Sequence, residues 1–200
     1  MSKMYCPIPR GAIRLPLPDT MQKTDYSCGA SAIMAICRYF GLGCDYEEDF
    51  IHLLKKKGMD PRIGSHPRQL KEIFTKFNLK PKEFINMTVN QLKRCLLNGQ
   101  PVLMMIQAWG EDKKGRPLKS YSGVWSEGHW VVGIGFDKSA VFFEDPSLEA
   151  IRGYIPYDEI EERWHDTGPH NKRMEHYGMA VMKPRTLPAY GYTTRARHID

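Results

Sequence analysis

The chain has 200 residues, of which 42% are hydrophobic and 26% charged, and a formal net charge of +6. That balance suits one globular domain with a full core and excludes a wholly disordered, collagen-like or coiled-coil chain. No stretch approaches the roughly 20 apolar residues of a membrane span. The excess charge comes without a zinc-finger or RNP motif, so nucleic acid is not an expected partner.

Residues 5–18 carry Pro7, Pro9, Pro16 and Pro18 and read as an extended arm. The N-terminal segment lacks the apolar core of a secretory signal. The five cysteines (Cys6, Cys28, Cys37, Cys44, Cys95) form no dense framework. Both points make the reducing cytoplasm the expected compartment. A helix starts near Cys28, because Ile33, Ile36, Cys37 and Phe40 follow helical spacing until Gly41 and Gly43 end it. Asp45 with Glu48 makes a capping-box pattern for a second helix, and the run 55–57 of lysines suits its last turn. Pro67 opens a third, with Leu70, Ile73, Phe74 and Phe77 on one face. Thr88 with Gln91 caps a fourth, which ends at Gly99.

The period then changes to that of strands over 102–109, 129–136, 140–145 and 177–182. Helices first and strands afterwards predict an α+β fold on a mainly antiparallel sheet. One domain is expected over 1–185, with a basic, mobile tail over 186–200. The polar loop 110–128, which carries Tyr121 and Trp125, is long enough to line a site.

Three segments carry the chemistry. In the first, Cys28 stands at a predicted helix N-terminus, where the dipole and free N–H groups favour a thiolate. Gly29 keeps space clear beside it. Gln22, six residues earlier, can return its amide there and form a two-donor oxyanion hole with the Cys28 N–H. The second segment supplies His129 as a base at the start of a strand. Gly133 and Gly135 lie on the histidine's face, leaving room for the Cys28 helix. The third brings Asp145, just before Pro146. A hairpin with a three-residue loop centred on Asp137 sets His129 directly opposite Asp145, Val131 opposite Phe143, and Gly133 opposite Val141. A loop of two or four residues would turn Asp145 to the other face unless a bulge corrected it. Cys28, His129 and Asp145 then act as nucleophile, base and orienter for acyl transfer through a thioester.

At Gln22, Asp25-Tyr26-Ser27-Cys28-Gly29, Gly128-His129-Trp130 and Asp145-Pro146 the sequence resembles the bacteriocin-processing cysteine peptidases, family C39 of the papain-like clan. The resemblance implies a papain-like fold and a catalytic set of Gln22, Cys28, His129 and Asp145. It also implies a peptide or protein substrate, and no cofactor or metal. Many members are domains of membrane exporters that cut leader peptides after Gly-Gly. This chain has no Walker A sequence and reads as a stand-alone relative. Two further activities fit the same residues: an acyltransferase resembling transglutaminases, and a binding module without turnover. His165, Asp166, His170 and His176 match no zinc spacing. Trp109, Trp125, Trp130 and Trp164 read as packing residues.

Overall fold

Apolar residues at helical spacing build the first half of the chain, and apolar runs build the second. The computed structural model describes residues 5–7, 12–43, 45–112, 114–116, 118–168, 172–183 and 195–199. Helix α1 (Cys28–Tyr39) buries nearly its whole length and ends before Gly41, whose φ of +67° suits glycine. Helix α2 (Glu47–Lys56) has Tyr46 at its N-cap with no side-chain cap, so the expected Asp45–Glu48 box does not form. Glu48 instead pairs with Lys23, and Glu47 turns inward. Helix α3 (Pro67–Lys76) starts at Pro67, as its sequence predicts. Helix α4 (Val89–Leu97) carries the expected Thr88–Gln91 box: Gln91 N–H donates to Thr88 Oγ1 at 3.2 Å, and Thr88 N–H donates to Gln91 Oε1 at 2.8 Å.

The strands are β1 (Tyr5–Pro7), β2 (Ile13–Arg14), β3 (Lys80–Phe84), β4 (Val102–Gln107), β5 (Gly128–Phe136), β6 (Ala140–Glu144) and β7 (Arg152–Pro156). After helix α5 (Tyr157–Arg163) come β8 (His165–Thr167), β9 (Arg173–Glu175), β10 (Gly178–Met182) and β11 (Arg195–His198). One sheet has the order β1-β11-β7-β6-β5-β4-β10-β3, with β2 added on β5, while β8 and β9 form a separate pair. Among the described residues all strand pairings are antiparallel except β11 with β7. This is the α+β arrangement expected from helices preceding strands. The arm of prolines contributes β1 and β2.

The described end of the expected tail belongs to the sheet. Residue Ile199 is 1% exposed, and its side chain fills the space above Gly153, where a Cβ would collide with it. Residues 184–194 and 200 lie outside the described residues, as do Cys44 and His170. Among the described residues no helix is long and apolar enough to cross a membrane.

The β5–β6 register differs from the expected hairpin. Phe136 pairs with Val141, so the loop has four residues, and on its own it would turn Asp145 away from His129. A bulge between Gly133 and Gly135 shifts the pairing, and beyond it Gly133 faces Phe143 and Val132 faces Glu144. Continuing that register places Asp145 opposite Val131, on the face His129 shares by alternation. The pair is therefore diagonal, not directly opposed. The two glycines do not seat α1 either: Gly133 receives Leu92 of α4, and Gly135 lies against the β2 backbone at Arg14. Helix α1 meets β5 through Gly29, which sits against Trp130.

Candidate active site

The loop before α1 is held at three points. Thr20 N–H and Oγ1 donate to Glu144 Oε1 at 2.7 and 3.0 Å. Gln22 N–H donates to the Pro146 carbonyl at 2.8 Å. Lys23 N–H donates to Glu47 Oε2 at 3.0 Å. Segment 20–22 thus runs beside 144–146, bringing the Gln22–Cys28 loop to the end of β6 where Asp145 stands. Two of the anchors are buried carboxylates. Glu144 pairs with the fully buried Arg152, which also donates to the Leu17 carbonyl and lies 3.5 Å from Asp19. Burial pushes the Glu47 carboxyl up, and the Ser27 hydroxyl and Lys23 N–H pull it back.

At the core of the site His129 Nε2–H donates to Asp145 Oδ1 at 2.7 Å, and neither side chain is exposed. Asp145 Oδ1 also accepts from Ser147 N–H at 2.9 Å and Ser147 Oγ at 2.8 Å. Burial alone would depress the imidazole. The Asp145 charge and hydrogen bond, with the Cys28 sulfur beside the ring, outweigh it and raise the imidazole from 6.5 to about 10. Burial likewise favours a neutral Asp145 carboxyl, but His129 and Ser147 hold it below its ordinary value. With Nε2 committed to Asp145, Nδ1 has no aligned hydrogen-bond partner among the described residues. Cys28, at the first position of α1 and 8% exposed, lies beside the ring.

Gln22 is half-buried. Its Nε2 donates to the Thr24 carbonyl at 3.0 Å, in the turn leading into Cys28. The structure thus brings Cys28, His129 and Asp145 together and sets the Gln22 backbone against the Asp145–Pro146 turn. Its amide is tied to Thr24 and keeps a second N–H.

Several neighbours of the site carry no motif. Ser147 fixes Asp145 through an Asx turn, for which Asp145-Pro146-Ser147 is a legible signal. The Trp109 ring lies 4.4 Å from the His129 ring, centre to centre. Trp130 points away from His129 as alternation predicts, and its Nε1–H donates to the Ser65 carbonyl at 2.9 Å. Asp166 Oδ1 accepts from Gln107 Nε2 at 3.2 Å. Its carboxylate covers Gly128, where a Cβ would strike it. Burial raises the Asp166 carboxyl to about 6, against the Thr167 N–H and the Gln107 amide. His165 bonds the Val124 carbonyl at 2.6 Å, and Tyr121 is buried, so both help tie the 110–127 loop down.

The model of the Peptidase_C39 like family matches residues 15–171. The chain belongs to that family. No curated protein matches it. Among solved structures, a C39-like peptidase from Bacillus anthracis aligns with a TM-score of 0.61 at 16% identity, covering 88% of this chain and 99% of the other. A double-glycine-motif protease of an AMS/PCAT transporter, solved with its leader peptide, aligns at 0.56 and 18% identity, covering 88% and 96%. The peptidase domain of Streptococcus ComA, a bifunctional ABC transporter of a quorum-sensing pathway, aligns at 0.51 and 11% identity, covering 84% and 97%. At these identities the structural likeness establishes a C39-like peptidase fold. The family match supports a cysteine peptidase of the papain-like kind.

Proposed function

We propose that this C39-like chain hydrolyses a peptide or isopeptide bond with Cys28 as nucleophile, His129 as acid and base, Asp145 as orienter and Gln22 as oxyanion donor. The observation that carries this reading is the dry His129–Asp145 bond, which spends Nε2 and leaves Nδ1 for the Cys28 thiol. In the resting thiolate–imidazolium pair Nδ1 already holds the proton of the thiol, and the sulfur attacks the substrate carbonyl as thiolate. The carbonyl oxygen becomes an oxyanion facing the Cys28 N–H and the second N–H of Gln22. The C–N bond breaks as His129 passes its proton to the leaving amine, and a thioester remains on Cys28. Water, deprotonated by the same nitrogen, releases the acid and restores the thiol. The leader peptide held by the AMS/PCAT relative supports a peptide as the substrate class. Cys28, Cys37 and Cys95 form no disulfide, which suits the cytoplasm as the compartment.

The test is incubation with a complex peptide library, reading new termini by mass spectrometry. Wild type generates them, and folded Cys28→Ala protein does not. Equal cleavage by the two proteins removes the proposal.

A further inference from the structure

His129 must hand its proton to the leaving amine, so that nitrogen lies at Nδ1 and whatever is attached to it lies against the groups that flank the ring. One such group is Trp109. Its indole is tilted 52° to the imidazole and is 43% exposed, so one part covers the ring and another faces solvent. Its backbone has a φ of +55°, a left-handed conformation that a bulky residue rarely adopts. Such strain persists only where the surroundings impose it. Here they do: Ala108 N–H donates to the Glu127 carbonyl at 2.9 Å, and Leu118 N–H donates to the Gly110 carbonyl at 2.9 Å. A Cβ at Gly110 would fall 2.7 Å from Leu118 and 3.0 Å from Tyr121, so the turn after Trp109 is closely packed.

A groove of ≈ 470 Å³ opens from this point, lined by Gly110, Leu118, Val124, Trp125 and Glu127 among others. Gly110 follows Trp109 directly, and Glu127 stands two residues before His129. The groove is therefore lined by close chain neighbours of both the indole and the imidazole.

We infer that Trp109 and this groove hold the leaving-group segment of the substrate, the indole face taking an apolar or aromatic side chain on the first residue beyond the scissile bond. The inference rests on the hydrolase reading above and adds a specificity to it. Trp109 is on this account a specificity-determining residue of the leaving side.

The test needs no knowledge of the natural substrate. p-Nitrophenyl acetate acylates an activated thiol, giving an acetyl thioester on Cys28 and p-nitrophenolate. An added amine then attacks the thioester: the C–N bond forms, the C–S bond breaks, and the amine proton passes through His129 to the sulfur. By microscopic reversibility that amine occupies the leaving-group site. Phenylalaninamide is compared with glycinamide, and the acetylated amines are counted by mass spectrometry. Wild type should favour phenylalaninamide by about three- to tenfold over the ratio for a free acetyl thioester, the range expected of one aromatic stack. Trp109→Ala should fall to the solution ratio, and Trp109→Phe should keep most of the preference. A wild-type ratio equal to that in solution, or one that Trp109→Ala leaves unchanged, overturns the inference while leaving the hydrolase intact. Failure of the ester to acylate Cys28 overturns both.

Discussion

Gly29→Ala probes how closely the nucleophile's helix is seated. A Cβ at position 29 would lie 3.1 Å from Leu70 Cδ2, 3.3 Å from Trp130 Cδ1 and far inside contact distance of Ser65 Oγ. Overpacking of this kind costs about 1–3 kcal/mol, and the helix-propensity gain of alanine over glycine returns at most about 1 kcal/mol. A net loss of about 1–2 kcal/mol should appear in urea unfolding at pH 7. Ser65 is buried and its Oγ has no hydrogen-bond partner among the described residues, so Ser65→Ala alone should be neutral or stabilising by up to about 1 kcal/mol. It also removes the closest atom. In the Ser65→Ala background Gly29→Ala should therefore cost less than about 0.5 kcal/mol, a coupling of about 1–2 kcal/mol. Alkylation of Cys28 should slow in the single variant, because its first helical turn is displaced, and recover in the double variant. A neutral single variant, or a loss that Ser65→Ala does not relieve, refutes this packing.

Asp145→Asn removes the charge that holds the imidazolium. Ring nitrogen shifts by NMR should show His129 protonated through neutral pH in the wild type and neutral in the variant, where burial dominates. With its carboxylate partner in place, the raised imidazole contributes stability that is complete below 6.5 and is lost as pH rises toward about 10. In a Cys28→Ala background, where no thiolate offsets the imidazolium proton, Asp145→Asn should remove that slope in urea unfolding between pH 6 and 9, and equal slopes contradict the assignment. Arg152→Met leaves Glu144 buried without its cation and should cost about 3–5 kcal/mol by denaturant unfolding. A loss below about 1 kcal/mol would show that Glu144 does not anchor the loop as an ionised group.

The site was more legible in the sequence than the geometry that assembles it. Cys28 at a helix start, His129 at a strand start and Asp145 before a proline each have a local signal, and so do the Thr88 cap and the Pro67 start. The β5–β6 register depends on a bulge at Gly133–Gly135, and counting residues back from the loop cannot see it. Strand β3 exposes Lys80, Lys82 and Glu83 at the edge of the sheet, so it lacks the apolar run that marked the inner strands. Strand β11 reads as a basic tail because its anchor, Ile199, fills space beside Gly153, more than forty residues earlier. Glu47, Glu144 and Arg152 look like surface charges until the fold buries them. Trp109 carries no turn residue to announce its left-handed backbone.

The most direct measurement is the second-order rate of iodoacetamide labelling at pH 6, resolved by peptide mapping. An ordinary thiol is only about 0.3% ionised there. Cys28 should react far faster than Cys37 and Cys95, and His129→Ala should abolish the advantage. Labelling of Cys28 no faster in the wild type than in His129→Ala would contradict a thiol–imidazole pair.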